Sequence, residues 1–345
     1  MTTATRGQDD TMRALRWDGP GRVHAVDVPV PRPKDGWALV DVARCGLCGT
    51  DLHICSGHHP RAVPGLVLGH EMSGTLATDA TTVGGVLPAG TKVVVNPLLS
   101  CGHCATCLAG RPHTCANLKL LGIDAPGGAA ERVAVPEGSL VPLPTDADLD
   151  AAAFAEPLAV AVRAVRRSRL ALGEDVVVVG AGPVGLAVAL SARQAGAASV
   201  RVLETAPARR EVASGLGLDV ADPQDGPAPD APGEGVPVVF DCASHPAVAA
   251  RVGALAAPGG RVVVVGIYPG LTPIDLQAVS FKELEVIGTR VYSRDDLHTA
   301  ARMITSGAFD PRPLLTRVVT VDEAPQAIDD LVSGRDVKVL VKGRG

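Results

Sequence analysis

Aromatic residues, excess basic charge and long uninterrupted hydrophobic runs are all scarce in this sequence. Aromatic residues make up only 2% of the 345 residues, so we expect a substrate pocket that is not lined by aromatic rings. The formal net charge of -5 provides no basic surface of the kind that binds nucleic acid. The longest apolar run, 176–190, is too short to span a bilayer and is interrupted by glycine and proline. The sequence therefore predicts neither a nucleic-acid-binding protein nor a membrane protein.

An export signal is also lacking, because residues 1–12 are polar and contain no apolar core. We expect this segment to be a disordered tail and the protein to be cytoplasmic. In a reducing compartment, the eight cysteines are expected to be metal ligands or free thiols rather than disulfides.

The length predicts two domains, and the pattern of apolar runs changes along the chain. From 13 to 152, short β-type runs alternate with glycine and proline, which indicates a small β-rich domain. From 153 to 294, almost wholly apolar strand runs alternate with helical runs, as in a doubly wound parallel sheet. Residues 295–345 are expected to rejoin the first domain. Strands are predicted at 38–42, 92–95, 176–179, 200–203, 236–240, 262–265, 286–287, 316–321 and 337–341, and helices at 157–167, 297–304 and 323–331.

One segment of the second domain, 222–235, is rich in proline, glycine and aspartate and has no helical period. We predict a surface loop here in place of the helix that a regular alternation would supply.

A glycine-rich stretch follows the predicted strand 176–179 and opens a helix. Such glycines permit a tight turn and the close approach of a pyrophosphate, and the helix N-terminus offers amides to phosphate. Glu204 ends the next strand, where it can accept hydrogen bonds from ribose hydroxyls and repel a 2′-phosphate. This context favours a dinucleotide site over a glycine-rich turn that binds nothing. The residues assigned to the site are Gly180, Gly182, Pro183, Val184, Gly185 and Glu204.

Four cysteines are concentrated between 101 and 115, in a segment (about 97–118) that we expect to form a separate lobe. Their spacing suits a closed tetrahedral structural zinc site, and disulfides are the alternative. The predicted ligands are Cys101, Cys104, Cys107 and Cys115.

A second set of metal-binding residue types begins at Cys48 and continues at His70. With one acid, Cys48 and His70 would leave an open position on a zinc ion, which is typical of catalytic zinc. The acid could be Glu71 or Glu156, and the residues leave that choice open. Cys45 lies three residues before Cys48, so a CxxC zinc pair is the competing interpretation.

Two further polar residues follow Cys48 closely. Thr50 can reach a group bound at the metal, and His53 can carry a proton from there toward solvent.

Taken together, these motifs resemble the zinc-dependent medium-chain alcohol and polyol dehydrogenases, over nearly the whole chain from about Arg13. The resemblance rests on GLCGTDLH, GHE, the four-cysteine lobe, AEPL at 155–158, GAGPVG and PGGR at 258–261. It implies an α/β protein in which a GroES-like β-rich catalytic domain accompanies a Rossmann domain. It also implies two zinc ions per subunit, NAD as cofactor, a small alcohol or ketone as substrate, and a homodimer or homotetramer.

The resemblance assigns roles residue by residue. Cys48, His70 and Glu71 match the catalytic zinc ligands, and Glu156 would touch the zinc, its water or the substrate. Thr50 and His53 match the proton relay.

Glu204 matches the acid that selects NAD, with Arg209 as a further cofactor-binding candidate. Arg209 and Arg210 could in principle embrace a phosphate instead, which would favour NADP.

The substrate branch is less sharply indicated. The Glu156-Pro157 pair resembles sorbitol, butanediol, threonine and sugar-acid dehydrogenases, and the segment ending at Arg290 resembles sugar-acid members. Tyr292 rather resembles polyol and butanediol members. Arg290 is therefore a candidate substrate contact. The alternatives are an NADP-linked ketone reductase, a zinc-free quinone or enone reductase, and a non-catalytic zinc-stabilised binding protein.

Overall fold

A computed structural model describes residues 11–224, 235–268 and 270–344. The predicted tail is wrong at its end, because Thr11 and Met12 already belong to the first strand, β1 (Thr11–Trp17). Met12 is buried and packs against Ala14 and Val67, and this apolar contact holds the start of the strand in the core. Residues 1–10 lie outside the described part.

The chain forms two compact units. The first contains the described residues up to Glu156 and those from Leu297 onward, and the second is Pro157–Asp296. The sequence placed the boundaries a few residues earlier, at 152/153 and 294/295. No described helix is long and apolar enough to cross a membrane.

The first unit is β-rich, and its largest sheet has seven described strands in the order β12-β8-β5-β3-β20-β19, with β11 also paired to β3. A second sheet has the order β2-β1-β4. The elements up to residue 152 are β1, β2 (Val23–Pro29), β3 (Trp37–Gly46), α1 (Gly49–Cys55), β4 (Leu66–Val67), β5 (Glu71–Leu76), β6 (Ala80–Thr82), β7 (Gly85–Leu87), β8 (Lys92–Val95), β9 (Leu98–Leu99), α2 (Ala105–Leu108), β10 (Lys119–Leu120), β11 (Arg132–Pro136), β12 (Leu140–Pro142) and α3 (Leu149–Ala152).

The second unit contains a parallel sheet of six described strands in the order β15-β14-β13-β16-β17-β18. Its elements, with the two helices at the unit boundaries, are α4 (Ala155–Ser168), β13 (Asp175–Val179), α5 (Pro183–Gln194), β14 (Ser199–Leu203), α6 (Pro207–Gly215), β15 (Asp219–Ala221), β16 (Val236–Asp241), α7 (Pro246–Ala249), α8 (Val252–Leu255), β17 (Ala256–Val264), α9 (Leu276–Phe281), β18 (Glu285–Gly288) and α10 (Arg294–Thr305). The chain then returns to the first unit with β19 (Arg317–Thr320), α11 (Ala324–Val332) and β20 (Val339–Lys342).

The strand order confirms the predicted doubly wound sheet. β13 lies between β14 and β16, so successive strands depart from it in opposite directions. That reversal creates the switch point at which such sheets bind ligands beyond their carboxyl ends. Val178, Val202 and Val238 are fully buried because helices cover both faces of a parallel sheet.

The predicted strands and helices are confirmed with small shifts at their ends. The largest shift is in β17, which begins six residues before the predicted 262 because Ala256 already pairs with Val236. Of the predicted loop 222–235, residues 225–234 lie outside the described residues.

The strand β3 determines where the polar residues of the first unit meet. It pairs with β5 on one side and β20 on the other, which places Gly46 opposite both Glu71 and Leu340. The helix α1 begins directly after it. The end of β3, the start of β5 and the start of β20 therefore converge at one place.

Candidate metal centres and coenzyme loop

Cys48 caps the N-terminus of α1, and Asp51 fixes this turn. The Asp51 carboxylate is fully buried and accepts hydrogen bonds from the Cys48 amide at 2.9 Å and the Gly69 amide at 3.3 Å. Gly69 has a φ of +92°, and a Cβ there would lie 2.4 Å from the Cys45 sulfur, so only glycine fits. Asp51 thus connects the turn that carries Cys48 with the turn that carries His70.

Cys48, His70 and Glu71 form the first candidate metal centre. Their ligand atoms lie within 4.8 Å of one another. The Nδ1 atom of His70 is buried and makes no hydrogen bond within the described part of the chain. Burial opposes protonation of His70, but the charges of Cys48 and Asp51 raise its pKa well above the usual value. A buried imidazole and two anionic donors are the chemistry that zinc prefers, so these residues fit the ion.

The structure separates the two candidate acids. Glu71 belongs to this group, whereas Glu156, on α4 and also buried, lies outside it. The charge of Glu156 nevertheless contributes to raising the pKa of His70, so the two side chains are near each other. Cys45 is buried on β3 and is likewise not a member of the group.

Glu71 has a second partner, the ammonium of Lys338. This lysine is only 1% exposed, forms an ion pair with the Glu71 Oε2 atom and donates to the carbonyl of Leu47 at 2.9 Å. Burial lowers the pKa of Lys338, but the charges of Glu71, Cys48 and Glu156 outweigh it, so the pKa is raised.

Thr50 and His53 lie on consecutive turns of α1. The Thr50 hydroxyl is 3.9 Å from the Cys48 sulfur, and the His53 side chain is exposed to solvent. Residues three apart on a helix are neighbours, so one hydroxyl adjoins the candidate centre while an imidazole beside it meets water.

The four cysteines of the predicted lobe come together around α2. The sulfur–sulfur distances are 3.5 Å for Cys104–Cys107, 3.8 Å for Cys104–Cys115 and 3.4 Å for Cys101–Cys115. Sulfurs held about 2.3 Å from one zinc would lie about 3.8 Å apart, whereas disulfide sulfurs are bonded at about 2 Å. A hydrogen bond with Thr106 lowers the pKa of Cys104 to about 5, whereas burial raises the pKa of Cys107 to about 12. The short sulfur–sulfur distances are therefore what favours a shared metal ion.

The glycine-rich stretch forms the turn between β13 and α5. Gly180 has a φ of +101°, Gly182 caps α5, and Pro183 occupies its first turn. A Cβ on Gly185 would lie 2.0 Å from the Gly180 carbonyl oxygen, whereas a Cβ on Gly182 would meet nothing within 4 Å. The helix start is therefore tightly packed at Gly185 and open at Gly182, as backbone approach to phosphate requires.

Glu204 is buried at the end of β14, beside the turn. Its two carboxylate oxygens accept from the amides of Ala181 and Ala206, each at 2.8 Å. The Thr205 hydroxyl also donates to Oε1 at 3.4 Å, so Oε2 is the oxygen that keeps the capacity to accept a further hydrogen bond.

The three arginines that the sequence singled out differ in their contacts. Arg210 donates to the carbonyls of Glu204 and Thr205 and to the Asp222 carboxylate. Arg209 lies in the first turn of α6 with a half-buried side chain, and Arg290 is exposed beyond β18.

Sequence reasoning gave no role to Asp51 or Lys338. Asp51 carried a signal, since a carboxylate at the third helical position of the turn after Cys48 can cap that helix. Lys338 carried none, because a lysine before an apolar strand is ordinarily a solvated residue.

Comparison with known proteins agrees with this architecture. Residues 34–145 match the family model of the alcohol dehydrogenase GroES-like domain, and residues 183–306 match that of the zinc-binding dehydrogenases. A 2-dehydro-3-deoxy-L-galactonate 5-dehydrogenase from Pseudoalteromonas atlantica is 38% identical over 338 residues, which cover 96% of this chain and 98% of the relative.

Two solved structures are similar over 96% of this chain and 99% of their own. A zinc-binding dehydrogenase from Sinorhizobium meliloti, bound to NADP, is 34% identical with a TM-score of 0.90. The alcohol dehydrogenase rspB from Escherichia coli CFT073, bound to NADH, is 26% identical with a TM-score of 0.89.

A GroES-like unit and a Rossmann unit in one chain define the class of zinc-type alcohol and polyol dehydrogenases. The chain belongs to this family of oxidoreductases, as the sequence predicted.

We predict that the four-cysteine lobe contributes stability rather than chemistry. Replacing Cys104 with serine should remove about one zinc per chain and lower the melting temperature, because structural zinc contributes directly to folding free energy. Metal analysis and calorimetry would measure both. An unchanged metal content and melting temperature would contradict the assignment.

Proposed function

We propose that this protein reversibly oxidises a secondary alcohol to a ketone, using a catalytic zinc and NAD. The convergence of Cys48, His70 and Glu71 within 4.8 Å, beside the Thr50 hydroxyl, carries the proposal. A zinc-free reductase would have no use for this donor set. A non-catalytic binding protein would not need Thr50 beside it.

Cys48, His70 and Glu71 are the proposed protein ligands, with Glu156 close enough to influence the site electrostatically. Three protein ligands leave one position for water or substrate, as in other catalytic zinc sites. A zinc ion held by these residues would lower the pKa of a bound hydroxyl group toward neutrality. The four-cysteine lobe would hold the second, structural ion.

Thr50 is proposed to take the proton of the substrate hydroxyl, and His53 to pass it to solvent. The positions of the two residues on α1 support this direction, since only His53 is exposed. A threonine hydroxyl can donate and accept a hydrogen bond at the same time, and an imidazole is the side chain that most often transfers protons in enzymes.

Replacing Cys48 with alanine should abolish turnover with little loss of folding stability, because Cys48 serves an open site. Steady-state assays and thermal unfolding would measure the two effects. The matched control is Cys55→Ala, which lies on the same helix but belongs to neither candidate metal centre and should keep turnover. Wild-type turnover in Cys48→Ala would refute the proposed ligand set.

NAD is the proposed coenzyme, and the position of Glu204 supports it. The two solved neighbours contain NADP and NADH, so the family alone does not decide between them. A 2′-phosphate near the buried Glu204 carboxylate would bring like charges together, at a cost of several kcal/mol. The Nη1 atom of Arg210 already donates to three acceptors, which leaves Arg209 as the candidate to compensate a 2′-phosphate.

We therefore expect a higher kcat/KM with NAD⁺ than with NADP⁺, and we expect Glu204→Ala to shift the ratio toward NADP⁺ by at least about tenfold. Glu211→Ala, an exposed acid on α6, is the matched control and should leave the ratio unchanged. A preference of the unmodified enzyme for NADP⁺ would overturn the proposal in favour of an NADP-linked ketone reductase.

A polyhydroxylated acid is the proposed substrate class. The relative at 38% identity is named for a sugar acid, and the exposed Arg290 offers a planar cation that suits a carboxylate. Polyols, diols and amino alcohols remain the other candidates of this branch. The homodimer or homotetramer and the cytoplasmic location stay predictions.

Screening aldonic acids against uncharged polyols with NAD⁺ would identify the substrate class. Arg290→Ala should then raise KM for the best acid by about tenfold, as expected for a lost charged hydrogen bond, with a smaller change for NAD⁺. The reverse order would assign Arg290 to the coenzyme instead.

A further inference from the structure

Lys338 is a buried cation that contacts Glu71, a member of the candidate catalytic metal centre. Its ammonium pairs with the Oε2 atom of Glu71 and donates to the Leu47 carbonyl, and both side chains of the pair are at most 2% exposed. Burying two such charges is costly unless their geometry is well defined. The cost of burying this pair suggests that it serves the candidate metal centre.

The position of Lys338 is fixed by backbone hydrogen bonds on both sides. Its carbonyl accepts from the amide and the hydroxyl of Thr316, each at 2.8 Å, and its amide donates to the same hydroxyl at 3.2 Å. The next residue, Val339, accepts from the Leu47 amide at 3.0 Å. The ammonium therefore projects from an anchored backbone.

Gly46 provides the space for the pair. A Cβ on Gly46 would lie 2.0 Å from the Glu71 Oε2 atom and 3.0 Å from the Lys338 Cε atom. Because Gly46 is paired with Glu71 on β5 and with Leu340 on β20, the three strands fix the ion pair at their junction.

This arrangement treats the two oxygens of Glu71 differently. One oxygen is engaged by Lys338, while the residue still belongs to the metal-binding group with Cys48 and His70. A carboxylate with both oxygens free can bind a metal through both, and zinc can expand to five ligands. If both oxygens of Glu71 bound the metal, the second oxygen would occupy the coordination position that a substrate needs.

We infer that Lys338 is a positioning residue that reserves one oxygen of Glu71, so that Glu71 offers the metal a single oxygen and one coordination position stays open. This inference rests on the proposed function, since it presupposes metal at Cys48, His70 and Glu71. It assigns Lys338 no contact with substrate or coenzyme.

The test uses the full-length protein loaded with Co²⁺, whose visible absorption reports coordination number. Difference spectra against Cys48→Ala isolate the catalytic site, because the four-cysteine site contributes equally to each sample.

Lys338→Met should give weaker ligand-field bands, typical of a higher coordination number, and release the metal to a chelator at least about tenfold more slowly. Loss of an ordinary outer-shell support would instead weaken metal binding about 10–100-fold. The matched control is Lys342→Met, which replaces an exposed lysine at the end of β20, the strand that follows Lys338, and should match the unmodified protein.

Two further variants test whether the spectral change arises from the second oxygen of Glu71. Lys338→Met combined with Glu71→Gln should recover the original band intensity, because an amide offers the metal only one oxygen. Gly46→Ala, which displaces Oε2 while keeping every charge, should reproduce the weaker bands and tests the inference even if Lys338→Met does not fold.

The outcomes separate the two proposals. If the unmodified protein shows no cobalt–thiolate band that depends on Cys48, the proposed function fails. If that band is present but the replacements of Lys338 and Gly46 leave the spectrum unchanged, or if the change persists without the Glu71 carboxylate, the inference about Lys338 fails.

Discussion

A concentration of buried negative charge is the constraint on which the candidate catalytic site depends. Asp51, Glu71 and Glu156 are each at most 5% exposed, and the half-buried Cys48 thiol adjoins them. Charges placed so close together out of water require compensating cations. Lys338 compensates Glu71, and the charges of Cys48 and Asp51 raise the pKa of His70 well above its usual value. The donor set of Cys48, His70 and Glu71 suits a divalent metal. Folding and metal binding are therefore expected to be linked at this site.

The same place also shows how backbone geometry serves chemistry. Gly69 provides the positive φ that turns the chain into His70, and Gly46 leaves room for the ion pair of Glu71. Asp51 connects the two turns through backbone amides. Each candidate donor is thus held by a strand end or a helix start rather than by a long flexible loop, as a pre-organised metal site requires.

In the second unit, the backbone geometry of one turn leaves room for the polyanionic coenzyme that we propose. The turn between β13 and α5 leaves Gly182 open and packs Gly185 against Gly180. Glu204 braces this turn through the Ala181 amide while holding negative charge at the end of β14. Glu204 therefore shapes the turn between β13 and α5, and we propose that the same side chain discriminates between coenzymes.

The sequence alone determined the family, the doubly wound sheet and the two cysteine-containing clusters, because ligand spacing and strand periodicity are local properties of the chain. It left open whether Glu71 or Glu156 completes the catalytic set, and it gave Lys338 no role. Only the tertiary structure groups Glu71 rather than Glu156 with Cys48 and His70, and only it places Lys338 against Glu71. The strands β3, β5 and β20 bring residues 46, 71 and 338 together, and no sequence pattern records that pairing. In the sequence, Lys338 resembles a solvated lysine, and only the pairing of β3 with β5 and β20 explains its burial beside Glu71.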